Sequence, residues 1–332
     1  ILFGKKNHII QMRKSIEENR SLSLDGKPVK IKLEEKYLGD YLHSYGLSKS
    51  VEVTVNKLYG NCIKSVIELS SVLNDFRMHS LGGISVGLDI FTMAILPVMM
   101  TNSSTWIMID KKTIDKLDNS QHLLQRCLLG ASNSTPLVAL SWDLGMISME
   151  HYINQTKLIF LHFLIGQHDD NLSKEMYTIQ KSLNFPGFIP EARNLITKYN
   201  LPNIIDQEVQ MTKFKWKSIV KKAIKTNYEN ELKSKMTTSK LKDGPMTKES
   251  FGLHDYVKEM KLSDARTKFR LRSNMTKVKM NMKSDPKFAA ELWKCSGCGN
   301  LDSQSHIMWC PSFAPLREGL NVSNDTDVIH YF

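Results

Sequence analysis

Three of the five cysteines and one of the histidines fall within sixteen residues, spaced Cys295-x2-Cys298-x7-His306-x3-Cys310. Two donors on a tight turn and two more some eight residues on can close around one tetrahedral metal ion, and thiolate with imidazole selects Zn²⁺. Gly297 and Gly299 flank Cys298 and let the turn bring both thiolates to one point. His306 and Cys310 are four apart and would share a face of one helical turn. Four protein ligands leave no open position, so the expected ion is structural. A scatter of free thiols, or a redox pair at Cys295 and Cys298, is the alternative; the third cysteine and the histidine favour metal. Cys62 and Cys127 sit in helical patterns and read as small buried apolar groups.

A second chemistry is cationic. Between residues 211 and 290 there are 21 Lys and Arg against 8 Asp and Glu, while the whole chain has 45 against 34 for a net charge of +11. The entire excess therefore lies in that window. Lys213, Lys215, Lys217, Lys221, Lys222 and Lys225 are interleaved with Phe214, Trp216, Ile219 and Ile224; Arg266, Lys268, Arg270 and Arg272 follow, then Lys277 and Lys279. Cations interleaved with aromatics suit phosphate neutralisation with base stacking. The competing reading is a solvated face whose aromatics turn inward. No motif specifies base readout, so phosphate contacts are expected to dominate. Trp293 and Trp309 flank the cysteine cluster and could stack on bases or on the cluster itself.

Phosphoryl-transfer chemistry would require clustered carboxylates to hold two metal ions. The sole adjacent pair of aspartates is Asp169-Asp170, which follows a helical stretch, and Asp170 or Asn171 is placed to cap the helix at Leu172. A Gly-x-x-x-x-Gly-Lys-Ser/Thr loop is missing from the sequence. No catalytic residue is assigned.

These groups need elements to hold them. Asp25-Gly26 separates two short alternating runs, a hairpin signal, and Tyr37 to Leu42 supplies another short apolar segment. From about Ser48 the period becomes helical, with Val51, Val55, Leu58, Cys62, Val66 and Leu69 in one stripe. Further helices are expected at about 86–99, 111–129, 147–166, 171–184 and 189–198, broken at Gly82-Gly83, Pro97, Gly130, Pro136, Gly145, Gly166, Pro186-Gly187 and Pro190. Residues 204–245 read as an exposed basic helix, and Lys240 to Lys248 as a linker.

Composition excludes several classes. At 41% hydrophobic and 24% charged the chain is too apolar for disorder, and 332 residues allow two modest cores. Five cysteines do not make a disulfide framework, so a reducing, intracellular setting is expected. Ile84 to Met100, interrupted by Asp89 and Pro97, is too short for a membrane span, and no membrane partner is expected.

In order, these parts resemble the C-terminal half of a reverse transcriptase from a non-LTR (LINE-type) retrotransposon. Lys36-Tyr37-Leu38-Gly39 is similar to the Lys-Tyr-Leu-Gly element that follows the polymerase palm. Ile95-Leu96-Pro97 with Thr105-Trp106 is similar to the thumb's Leu-Pro…Glu-Thr-Trp stretch. Leu128-Leu129-Gly130, Ser134-Thr135-Pro136, Leu140 and Leu144-Gly145 match its helix-loop-helix pattern. Phe269-Arg270-Leu271-Arg272, the four cysteine and histidine positions, Pro311 and Arg317 are similar to the closing basic segment and knuckle. The pattern departs where Met99 to Ser104 replaces Leu-Tyr-Gly-Ser-Glu, and where the Tyr/Phe-x-Asp-Asp motif is missing; Gln167-His168-Asp169-Asp170 is not its equivalent.

The resemblance implies a mainly α fold. Its parts would be a palm-edge β-hairpin remnant over 1–47, an all-α thumb over 48–203, a basic helical connector over 204–290 and a small zinc knuckle over 291–332. It implies part of an RNA-directed DNA polymerase that holds primer–template duplex, element RNA or target DNA during target-primed reverse transcription, in nucleus and cytoplasm. Mg²⁺ would belong to a palm upstream of Ile1, a placement that the absence of an initiator Met fits. The chain alone is expected to bind nucleic acid without polymerising. The other expectations are a non-catalytic zinc-knuckle nucleic-acid-binding protein or, third, a purely structural adaptor.

Overall fold

A computed structural model describes residues 2–3, 8–9, 22–24, 27–31, 33–37, 40–43, 45–75, 81–182, 187–206, 211–239, 241, 246, 249–276 and 294–318. It is mainly helical. The chain divides into two compact units, each discontinuous in sequence. The first takes Ile1–Val66, Phe91–Gln121 and Ile147–Tyr228; the second takes Ile67–Ile90, His122–Met146 and Glu229–Phe332. The consecutive blocks read from the sequence follow composition, whereas these units follow packing, and the two divisions do not coincide.

The strands come first. β1 (Leu2–Phe3), β2 (His8–Ile9), β3 (Leu22–Leu24) and β4 (Lys27–Ile31) form one sheet in the order β1-β2-β4-β3. β3 and β4 pair antiparallel, Leu24 opposite Lys27, and the Asp25-Gly26 turn expected between them lies outside the described residues. β5 (Glu34–Tyr37) and β6 (Asp40–His43) make a separate antiparallel pair.

That pair is tied to the start of α1 (Leu47–Asp75) by side chains of the helix. Ser50 Oγ accepts from the His43 N–H at 2.7 Å and Thr54 Oγ1 from the Tyr41 N–H at 2.7 Å. Ser50 and Thr54 thus sit buried beside Val51 and Val55 on α1 because they satisfy the edge of a strand.

The first unit is built on α6 (Met149–Ile165), packed with α7 (Leu172–Ser182) and α8 (Phe188–Lys198). Part of α4 (Lys111–Leu129) also belongs to it, and Asp118 there accepts from the Met149 N–H at 2.8 Å, capping α6. Met149, Ile153, Leu158 and Leu161 of α6 are buried, as is Lys157, whose ammonium pairs with Glu191 of α8. Burial pushes the Lys157 pKa down, and its bond with Glu191 opposes the shift. Asn171 Oδ1 accepts from the Ser173 N–H at 2.9 Å, so Asn171 caps α7 and Asp169-Asp170 stays an exposed turn.

The second unit contains α2 (Gly83–Ile90), α5 (Leu137–Leu144), α10 (Asp255–Glu259) and α11 (Leu262–Arg272). An irregular strand running from Phe251 to His254 lies along the end of α5. Leu253 bridges Leu144, the Gly252 N–H donates to the Trp142 carbonyl at 3.4 Å, and the Phe251 and Trp142 rings lie 5.8 Å apart. Gly145 ends α5 at φ +63°, where an added Cβ would stand 2.7 Å from Leu253 N and 2.8 Å from Gly252 C. Both neighbours are backbone and cannot yield. Gly145→Ala should destabilise the fold by about 1–3 kcal/mol, combining a left-handed φ with overpacking. Thermal unfolding measures it, and an unchanged melting temperature would contradict this packing.

The expected 86–99 helix is α2, a π-helical turn over Phe91–Ile95, and α3 (Leu96–Met99), which Pro97 starts rather than breaks. Helix α5, which the spacing pattern alone did not mark, is too short and too uniformly apolar to show a period. Among the described residues, no helix is long and apolar enough to cross a membrane.

Candidate metal centre and basic surface

Lys294 and Leu301 form an antiparallel bridge, and the residues between them turn sharply. The Cys295 N–H donates to the Asn300 carbonyl at 2.6 Å and the Gly299 N–H to the Cys295 carbonyl at 2.9 Å. Gly299 takes φ +76°, and a Cβ on Gly297 would come within 2.5 Å of Ser312 Cβ, so both glycines are required by geometry. Next comes α12 (Gln304–Trp309), capped by Ser303 Oγ, which accepts from the His306 N–H at 3.1 Å. Cys310 follows the helix in extended conformation (φ −62°, ψ 126°), not on a continuing helical turn as the four-residue spacing suggested.

All four donor atoms converge. Cys295 Sγ lies 3.8 Å from Cys310 Sγ, Cys310 Sγ 3.6 Å from Cys298 Sγ, and Cys298 Sγ 3.2 Å from His306 Nε2. The four donors lie within 4.8 Å of one another. Thiolates about 2.3 Å from a tetrahedral ion sit about 3.8 Å apart, so the cavity fits one metal ion, whereas a disulfide would need about 2.05 Å. The three cysteines are free thiols. Cys295 is lowered in pKa first by the Gly297 N–H, which donates to its sulfur at 3.4 Å, and next by His306.

The module is anchored within the second unit by residues that the ligand spacing does not flag. Gln304 Nε2 donates to the Leu271 carbonyl at the end of α11 at 2.9 Å, and its Oε1 accepts from Thr276 Oγ1 at 2.9 Å. Arg317 Nη1 donates to the Cys310 carbonyl at 2.8 Å. The chain matches no family model, no curated protein and no solved structure. The metal centre and the charge distribution therefore stand on their own geometry.

The cationic residues divide sharply. In α9 (Lys213–Thr237), Trp216, Val220, Ile224, Tyr228, Leu232 and Met236 are buried at intervals of four. Lys213, Lys215, Lys217, Lys221 and Lys222 are exposed, and among the described residues none of the five is in an ion pair. Trp216 turns inward and its indole N–H donates to the Leu158 carbonyl at 2.7 Å. Phe214 turns outward and is 85% exposed.

Helix α11 behaves differently, and here the expectation of a run of phosphate contacts needs correction. Arg272 is buried and bidentate on Asp143 (Nε to Oδ2 2.9 Å, Nη2 to Oδ1 3.0 Å) and on Glu249 (2.7 Å twice). Arg266 closes the end of α4, donating to the carbonyls of Cys127 (2.7 Å) and Leu128 (3.0 Å). Arg270 reaches the Gly130 carbonyl at 3.4 Å, and the Lys268 ammonium lies 5.5 Å from the Tyr256 ring centroid. Phe269 is fully buried. The alternation that looked like an open cationic face is thus a helix whose guanidiniums cap and neutralise other parts of the second unit. Burial alone would lower the Arg272 pKa; Glu249 and Asp143 raise it instead. Lys277, Lys279 and Trp293 lie outside the described residues, as does most of the Lys240–Lys248 linker. Trp309 is exposed, Cys62 buried and Cys127 half-buried.

Proposed function

We propose that this chain is the C-terminal, non-catalytic part of an RNA-directed DNA polymerase of the non-LTR retrotransposon type. It binds nucleic acid during target-primed reverse transcription, with a structural Zn²⁺ held by Cys295, Cys298, His306 and Cys310. The observation that carries the reading is the convergence of those four donors, at the point in the chain order where the resemblance puts a knuckle. Zinc is favoured over other ions by three thiolates and one imidazole in a closed tetrahedral set. Its contribution is cross-linking: it fixes a short segment that has little apolar core of its own. Catalytic carboxylates and their Mg²⁺ belong to a palm that the resemblance places outside these 332 residues.

The phosphate-binding part of the proposal is carried by Lys213, Lys215, Lys217, Lys221 and Lys222, which are exposed on α9 and held by no described acid. Arg266 and Arg272 are assigned to the fold. Binding to these lysines should be insensitive to sequence and should weaken steeply between about 50 and 200 mM salt. Lys221→Ala with Lys222→Ala should reduce the log–log salt slope for duplex DNA by roughly two, read by fluorescence anisotropy. An unchanged slope would place the phosphate contacts elsewhere, and affinity indifferent to salt would favour a protein adaptor.

A further inference from the structure

On α9 the geometry points to a composite site for a single-stranded nucleic acid with unpaired bases, and we infer that Phe214 stacks on a base while Lys215, Lys221 and Lys222 hold the adjoining phosphates. The inference rests on the nucleic-acid reading above and names the class of ligand within it.

The argument begins with the turn of the helix. At about 100° per residue, the buried stripe over the first turns of α9 runs through Trp216, Val220 and Ile224. Opposite it, within an arc of about 120°, fall Lys221, Phe214, Lys225, Ser218, Lys222 and Lys215 in angular order. In angle Phe214 therefore falls between Lys221 and Lys222, while along the axis it stands at the N-terminal end of the lysine cluster, next to Lys215 and roughly 10 Å before Lys221. Lys213 and Lys217 lie outside this arc.

Phe214 is also the most exposed large apolar side chain among the described residues, at 85%. Isolated exposed apolar residues are ordinary on protein surfaces. An aromatic ring on the same face as the exposed ammonium groups of Lys215, Lys221 and Lys222 is a different environment, because it combines a stacking face with a local positive potential. Trp216, two residues on, shows that the same helix buries an aromatic where the core requires one. A duplex offers phosphates to the lysines and no open base face to the ring; a single strand offers both.

The test uses the full chain, a single-stranded 12-mer and the duplex of the same sequence, with anisotropy at fixed salt. Phe214→Ala touches no buried contact and should weaken single-strand binding by roughly tenfold, about 1.4 kcal/mol, with duplex affinity within twofold of wild type. Phe214→Trp should restore the single-strand affinity. Lys221→Ala with Lys222→Ala should weaken both ligands. Unchanged single-strand affinity in Phe214→Ala, or equal losses for both ligands, would reject the stacking role while leaving nucleic-acid binding intact. Failure of the wild-type chain to bind either ligand would reject both readings. Phe214-dependent sedimentation with phosphatidylserine vesicles, without oligonucleotide binding, would make α9 a membrane-surface helix and overturn the inference.

Discussion

Arg272→Met should lower the stability of the second unit by about 3–5 kcal/mol, the cost of leaving a buried charge without its partner. Asp143 is fully buried and receives both arms of the guanidinium, with the Tyr256 hydroxyl donating to it at 2.6 Å. Among the described residues, that carboxylate without Arg272 keeps Tyr256 and, at 3.5 Å, the His254 imidazole. Replacing both members, Arg272→Met with Asp143→Leu, should recover most of the loss, because the burial penalty then disappears with the charges. Urea unfolding at pH 7 measures both, and a single variant within about 1 kcal/mol of wild type would show that water compensates the pair.

Acid provides a second signature. The Arg272 hydrogen bonds hold the Glu249 carboxyl below its ordinary pKa. Its contribution is therefore present above the ordinary carboxylate value and lost as pH falls through the depressed one. The difference between wild type and Arg272→Met should accordingly narrow in acid, and a gap that is constant with pH would remove Glu249 from the network.

Cys298→Ser should abolish stoichiometric zinc binding and unfold residues 294–318 as an ordered module, while α6 and α8 keep their protection. Structural zinc contributes on the order of 10 kcal/mol to modules of this size, far more than α12 and its cap can supply alone. Elemental analysis gives the stoichiometry, and hydrogen exchange separates the knuckle from the first unit. Zinc-free protein with an ordered knuckle would overturn the assignment. A Cys298–Cys310 disulfide in native protein would do the same, since 3.6 Å between sulfurs suits two ligands of one ion and is too long for a bond.

Much of the helical organisation was legible because it is periodic. Val51, Val55, Cys62 and Val66 recur at helical spacing, and all four are buried. The expected 111–129, 171–184 and 189–198 segments correspond to α4, α7 and α8 within two residues at each end. The pairing of β5 with β6 was not legible, since two four-residue strands carry too little alternation to read. The candidate ligand set was readable from residue type and spacing alone, because metal coordination constrains both.

Charge is where sequence and tertiary structure part. By itself the sequence determines that the cationic excess lies between 211 and 290 and that four metal donors follow it. Which cations face solvent was decided only by packing. Lys215, Lys221 and Lys222 stay outside because Trp216, Val220 and Ile224 commit the other face of α9 to the core. Arg272 goes inside because Asp143, in the apolar run Leu137–Leu144, is carried into the interior by its helix and needs a counter-charge there. A one-dimensional pattern records how many charges a segment has; desolvation in three dimensions determines which of them must be paired.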